Sequence, residues 1–80
     1  MNRKLTLIIQ TQSGEDVVVQ VRRDVPLKTL FEKVSDRLNI DPKSAHFVYN
    51  GKKVDLKKTA KDFDMENKDT VDLVQTQVGG

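Results

Sequence analysis

The sequence contains no cysteine, which excludes a disulfide framework and a zinc site built on thiolates. It also has no apolar run approaching the roughly 20 residues that a membrane-spanning helix needs. Residues 1–4 lead into a strand-like segment instead of a signal-peptide core. An excess of one charge is missing as well, since the net charge of +2 is too small to argue for nucleic acid. From 80 residues we expect one small, soluble, intracellular domain.

Groupings typical of catalysis or metal binding are also missing. The single histidine, His46, lies in a strand-like segment without a cysteine or serine pair, so a solvated strand residue is the simpler interpretation. The acidic residues follow no spacing typical of metal ligands or acid–base pairs. A lysine cluster without interleaved aromatic residues is usually a solvated face. We therefore expect no enzymatic activity, no metal or cofactor, and no nucleic-acid binding. The cluster comprises Lys52, Lys53, Lys57, Lys58 and Lys61.

Hydrophobic periodicity predicts a hairpin and one helix in the first half of the chain. Residues 5–9 are rich in β-branched and aliphatic side chains, and residues 17–22 alternate as in a strand with one buried face. Between them, Gly14 supplies the positive φ that a turn needs. Pro26 pre-sets φ for a helix that ends at Asn39. The apolar residues of this helix recur at helical spacing and are Leu27, Leu30, Phe31, Val34 and Leu38.

The second half is predicted to form a second hairpin, a helical turn and a last strand. Residues 45–54 contain Asn50-Gly51, the strongest two-residue hairpin signal. Thr59 begins a capping box for a single helical turn, and residues 71–74 form the last strand. One amphipathic helix can bury its apolar stripe only across the concave face of the sheet. The sequence thus predicts an α+β β-grasp fold: a mixed five-stranded sheet packed on one main helix plus a short helical turn.

The last two residues, Gly79 and Gly80, follow a short polar segment. We predict a globular domain over residues 1–75 and a flexible tail over residues 76–80. A glycine backbone can enter a channel too narrow for other residues, so this tail is typical of a substrate offered to an enzyme that acts on a carboxylate. Terminal glycines also occur as disordered ends or cloning scars, and on the dipeptide alone both interpretations stay open.

The chain resembles the ubiquitin family of protein modifiers over nearly its full length, without a gap from residue 5 to residue 80. Within that family it is more similar to the SUMO branch, the small ubiquitin-related modifiers. Residues 25–27 are similar to its "TPL", residues 49–52 to its "FDGQ", residues 65–72 to its "MEDEDTID", and residues 75–80 to its "QQQTGG". The apolar positions that match the family are Leu7, Ile9, Val17, Val19, Val21, Leu27, Leu30, Val34, Phe47, Val54, Met65, Val71 and Leu73.

Two departures from ubiquitin favour the SUMO branch. Thr76 stands where ubiquitin has an arginine implicated in the choice of activating enzyme. Gln12 and Asp72 replace a leucine and a histidine of ubiquitin's apolar recognition patch, beside Val48 and Val74. A receptor that reads that patch would lose apolar area and meet a carboxylate that is costly to desolvate. We therefore expect ubiquitin receptors to ignore this protein.

The resemblance implies a modifier that is conjugated through Gly80. Its carboxylate would be adenylated on an activating enzyme, passed as a thioester to a conjugating enzyme, and joined to a substrate lysine with the help of ligases. A SUMO-specific protease would be a further partner, and the modifier itself would be a monomer of the nucleus and cytoplasm. The alternative is a SUMO-like interaction domain that binds the conjugating enzyme without being conjugated.

The resemblance also implies a groove beside the second strand that binds SUMO-interacting motifs, which are short apolar peptides with acidic flanks. As a sheet edge, this strand would offer free backbone groups to such a peptide. Arg22 and Arg23 could attract the acidic flank, or could simply protect the edge from aggregation. We favour the groove because these charges coincide with an apolar floor. Gln20 and Thr29 replace family lysines, and Val34 replaces a tyrosine. The candidate groove residues are Val19, Gln20, Val21, Arg22, Leu30, Val34 and Arg37.

A third candidate surface corresponds to the acidic patch by which SUMO docks on its conjugating enzyme. Its members here are Gly51, Glu66, Asp69 and Asp72. Asn67 and Lys68 interrupt the acidic run, so the patch is diluted.

Overall fold

Five strands form one sheet, and an α-helix packs across one of its faces; the computed structural model describes residues 4–75. Short 3-10 turns precede the third strand and the fifth strand. The predicted tail, residues 76–80, lies outside the described residues. The elements are β1 (Lys4–Thr11), β2 (Asp16–Arg22), α1 (Leu27–Arg37), the 3-10 turn Pro42–Ser44, β3 (Ala45–Tyr49), β4 (Lys52–Lys53), the 3-10 turn Lys61–Phe63 and β5 (Asp69–Gln75).

The strand order across the sheet is β2-β1-β5-β3-β4. The central pair, β1 and β5, is parallel, whereas the other three pairs are antiparallel. This arrangement confirms the predicted β-grasp fold, with its mixed five-stranded sheet, one main helix and a short helical turn. It also leaves β2 at one edge of the sheet and β4 at the other.

The core lies between the sheet and α1. Alternate residues of β1, Leu5, Leu7 and Ile9, are fully buried, because successive strand side chains point to opposite faces. On the helix side, Phe31 meets Phe47 of β3 edge to face, with ring centroids 5.0 Å apart. Each fully buried aliphatic or aromatic side chain contributes about 1.5–3 kcal/mol to folding. Among the apolar positions predicted on β2 and α1, Val19, Val21 and Leu38 are half-buried and pack against this core.

The turns follow the predicted chemistry. Gly14 has φ of +88°, and both Asn50 and Gly51 have positive φ, as a type I′ turn requires. Thr59 and Asp62 form the reciprocal capping box: the Thr59 amide donates to Asp62 Oδ2 at 2.9 Å, and the Asp62 amide donates to Thr59 Oγ1 at 3.2 Å. The hydrogen bond from the Thr59 amide to this carboxylate is the main reason why the pKa of the Asp62 carboxyl lies below its usual value.

The strand ends differ from the prediction. β1 and β5 are longer than their apolar centres, whereas the return strand of the second hairpin stops at Lys53. The added residues are mostly polar, and they pair through backbone groups that hydrophobic periodicity does not detect. At the first hairpin, the Thr11 hydroxyl donates to the Glu15 carbonyl at 2.8 Å and accepts from the Glu15 amide at 3.1 Å, which closes the turn.

Candidate binding surfaces

A groove runs between the edge strand β2 and the helix α1; we call it the β2 groove. It encloses a cavity of about 420 Å³. Because β2 pairs with β1 on one side only, its other side is a sheet edge, the kind of site to which an extended peptide can add as a strand. The cavity is lined by Lys4, Gln20, Val21, Arg22, Val25, Pro26, Leu27, Thr29, Leu30 and Lys33.

Four of the seven predicted groove residues line this cavity: Gln20, Val21, Arg22 and Leu30. The other three occupy different places. Val34 is only 1 % exposed and belongs to the core, because its position on α1 faces the sheet. Val19 is half-buried against the core, outside the cavity lining. Arg37 is exposed in the last turn of α1 and also lies outside that lining.

The cationic groups of the β2 groove are Lys4, Arg22 and Lys33. Lys4 and Arg22 are directly opposite each other in the β1–β2 ladder, so an acidic side chain at this end of the groove would meet two cations at neighbouring positions. Sequence reasoning missed Lys4 and Lys33 because they come from two other elements, whose placement around β2 follows from the assembled fold.

Tyr49 and Asp69 form a hydrogen-bonded pair that the sequence did not indicate. The Tyr49 hydroxyl donates to Asp69 Oδ2 at 2.6 Å, and the Glu66 amide donates to the same oxygen at 2.9 Å. These bonds hold the pKa of the Asp69 carboxyl below its usual value, whereas the bond to this carboxylate is the main reason why the pKa of Tyr49 is raised to about 12. The Tyr49 ring also packs edge to face on Phe63, at 6.4 Å between centroids.

Asp69 and Asp72, two residues of the predicted conjugating-enzyme surface, lie on different faces of the sheet. Asp69 is half-buried and has the parity of the buried residues Val71 and Leu73, whereas Asp72 is exposed and has the opposite parity along β5. Asp72 therefore lies on the outer face of the sheet, opposite Val48 of β3. Glu66 and Gly51 are exposed at turns. The four residues thus do not form one continuous acidic patch.

The end of β5 is tied to the first hairpin. The Gln75 amide donates to the side-chain oxygen of Gln12 at 2.8 Å, across 63 positions of sequence. No local signal in the sequence predicts this contact. Gly79 and Gly80, the predicted conjugation residues, lie outside the described residues.

Within residues 4–75, acidic and histidine side chains form no cluster suited to a metal ion. In the same part of the chain, no helix combines the length and apolar character required to cross a membrane. What the geometry offers is a free strand edge, an apolar groove with cations around it, and a turn bound by carboxylate hydrogen bonds.

Sequence comparison identifies a protein family and several relatives that this chain is similar to. The protein-family model Rad60-SLD, described as ubiquitin-2 like Rad60 SUMO-like, matches residues 5–75. Small ubiquitin-related modifier 2 of Arabidopsis thaliana is 29% identical over 76 residues, which cover 95% of this chain and 74% of that protein. Small ubiquitin-related modifier 3 of Xenopus tropicalis is 29% identical over 79 residues, covering 99% and 84%. Small ubiquitin-related modifier 2 of Homo sapiens is 28% identical over 79 residues, covering 99% and 83%.

Proposed function

This chain belongs to the Rad60-SLD family of SUMO-like, ubiquitin-related domains, and we propose that it is a protein modifier conjugated through Gly80 to lysines of other proteins. The observation that carries the proposal is the extent of the similarity, since proteins named as small ubiquitin-related modifiers match 99% of the chain. The Gly79-Gly80 pair is the matching chemical feature, because its backbone can enter a narrow enzyme channel.

In the proposed reaction the chain is a substrate. An activating enzyme joins the Gly80 carboxylate to AMP and releases pyrophosphate from ATP. A cysteine thiolate of that enzyme then displaces AMP to form a thioester, which is transferred to a cysteine of a conjugating enzyme. The ε-amine of a substrate lysine attacks the thioester, loses a proton and releases the thiolate, leaving an isopeptide bond. Ligases would assist this transfer, and a SUMO-specific protease would reverse it. The modifier would act as a monomer in the nucleus and cytoplasm. It would contribute no catalytic group of its own.

We further propose that the β2 groove binds SUMO-interacting motifs. An apolar peptide could pair with the free edge of β2 while its side chains contact Val21 and Leu30, both of which line the cavity. Acidic residues beside the apolar segment would then lie near Arg22 and Lys33. Such charges mainly raise the association rate and fix the orientation of the peptide.

A second candidate function is that of a non-conjugated domain that docks on the conjugating enzyme. The family description, SUMO-like, does not itself require conjugation. In the predicted docking surface of Gly51, Glu66, Asp69 and Asp72, the two aspartates lie on opposite faces of the sheet. In addition, Asp69 Oδ2 accepts two internal hydrogen bonds. Because this split weakens the case for docking as the sole function, we favour the modifier.

A thioester assay separates the two functions. The full chain is incubated with SUMO activating enzyme, conjugating enzyme and ATP, and the products are separated with and without reducing agent. A modifier gives an adduct with the conjugating enzyme that reducing agent removes. The matched control, Gly80→Ala, should abolish this adduct without changing the melting temperature. If the unaltered chain gives no adduct but still binds the conjugating enzyme, the modifier proposal is wrong and the docking function stands.

A further inference from the structure

A second groove lies on the opposite side of the helix, next to the other edge of the sheet; we call it the β4 groove. It encloses a cavity of about 570 Å³ between the N-terminal part of α1 and the ends of β3 and β4. Its apolar surface includes the exposed ring of Pro42 and the half-buried side chains of Ala45 and Leu56. Three lysines stand around this apolar surface: Lys28, Lys53 and Lys57.

The groove opens where β3 loses its partner strand. β4 pairs with β3 at Val48 and Tyr49, and the Val54 amide still donates to the Phe47 carbonyl at 2.9 Å. The chain then turns away, because the carbonyl of Leu56 accepts instead from the amide of Lys28, at the start of α1, at 3.0 Å. At the start of β3, Ala45 pairs only with Gln75 of β5 among the described residues. The backbone of β3 at Ala45 is thus a short free sheet edge facing the groove, of the kind that accepts an added strand.

The charges around the β4 groove are available to a partner. None of Lys28, Lys53 and Lys57 forms an ion pair with another residue among residues 4–75. The lining contains one acidic residue, Asp55, and its Oδ1 accepts a hydrogen bond from the Lys57 backbone amide at 3.0 Å. Three unpaired ammonium groups around an apolar floor are complementary to a segment that is apolar at its centre and acidic at its ends.

We propose that the β4 groove binds an extended acidic peptide of a partner protein, with one or two apolar side chains placed over Ala45 and Leu56. The peptide would add to the free edge of β3, and its carboxylates would pair with the three lysines. Single-stranded nucleic acid is a poorer fit because it needs exposed aromatic rings on which bases can stack. Of the two aromatic side chains in the lining, Phe31 is only 4 % exposed and His46 is half-buried. This site goes beyond the proposed function and does not depend on conjugation.

The proposal is tested by following the backbone amides of the full chain by nuclear magnetic resonance during a peptide titration. The probe is the peptide Ac-Glu-Asp-Leu-Val-Val-Asp-Glu-amide at low salt. We expect saturable shifts at Ala45, Leu56 and Lys57, separate from any shifts at the β2 groove. In the variant Lys53→Glu/Lys57→Glu, binding at these amides should weaken about tenfold, since each exposed ion pair contributes a few-fold to affinity.

The matched control is Lys61→Glu/Lys68→Glu, which makes the same change in net charge at exposed lysines outside the groove. It should leave peptide binding at Ala45 within about twofold of the original value. Three outcomes would overturn the proposal: equal losses in both variants, amide shifts confined to the β2 groove, or shifts at Ala45 that appear without peptide as the protein concentration rises. Tighter binding of a ten-residue oligothymidylate at the same amides would show a nucleic-acid site instead.

Discussion

Replacing Tyr49 by phenylalanine removes one hydroxyl and leaves the ring that packs on Phe63. That hydroxyl donates to Asp69 Oδ2 at 2.6 Å. Hydrogen bonds to charged groups contribute about 1.5–3 kcal/mol, and we take the lower end because both residues are only half-buried. Tyr49→Phe should therefore lower the free energy of unfolding by about 1.5 kcal/mol, or the melting temperature by roughly 6–12 °C for a domain of this size. The measurement is urea or thermal unfolding followed by circular dichroism.

The pair also makes two opposite contributions to the dependence of stability on pH. The folded-state pKa of Asp69 is lowered, so its contribution is present above the unfolded pKa of about 3.9 and is lost as the pH falls through the folded-state value. The folded-state pKa of Tyr49 is raised to about 12. Its contribution is therefore present below the unfolded pKa of about 10 and is lost as the pH rises from there toward 12. Tyr49→Phe should remove the alkaline loss entirely.

Tyr49 is the only tyrosine and the chain has no tryptophan, so the absorbance of tyrosinate at 295 nm reports this residue alone. We expect a titration midpoint near 12 in the original protein and a lower midpoint in Asp69→Asn, in which the carboxylate is neutral. Circular dichroism at each pH shows whether the chain is still folded. A midpoint near 10 in the folded original protein would refute the pairing of Tyr49 with Asp69.

Three further predictions follow from single contacts. Ser35 is 1 % exposed on α1, and among residues 4–75 its hydroxyl has no hydrogen-bond partner. Ser35→Ala should therefore raise the free energy of unfolding, measured in urea, by about 1 kcal/mol. A lower free energy of unfolding would show that the hydroxyl has a partner after all. Thr59→Ala removes the acceptor for the Asp62 amide and should lower the same quantity by about 1 kcal/mol, whereas Thr59→Ser should retain most of it. Arg22→Glu/Lys33→Glu should weaken an acidic SUMO-interacting peptide about tenfold in a fluorescence polarisation assay at low salt and less at high salt; an unchanged affinity would exclude the β2 groove as its site.

The sequence predicted the elements of this fold because their signals are local. Asn50-Gly51 determines its own turn, and the 3.6-residue spacing of apolar residues on α1 requires no knowledge of the sheet. The contacts that shape the candidate surfaces are not local. Tyr49 and Asp69 are 20 positions apart, and Gln12 and Gln75 are 63 positions apart. Val34 is a further position that the sequence alone did not place correctly: the resemblance assigned it to the β2 groove, whereas the orientation of α1 buries it.

The two grooves have a common geometric origin. Five strands spaced about 4.8 Å apart span roughly 19 Å between the axes of the outer strands, whereas a helix with its side chains is only about 10–12 Å wide. A single helix therefore covers the central strands and leaves a groove along each edge, the β2 groove and the β4 groove. The helix α1 supplies one cation to each groove, Lys33 beside β2 and Lys28 beside β4, whereas Arg22 of β2 and Lys53 of β4 each belong to one groove only. Because both grooves follow from the dimensions of the fold, their charge and apolar lining must determine which peptides each one binds. Variants confined to one groove should leave peptide binding at the other groove unchanged.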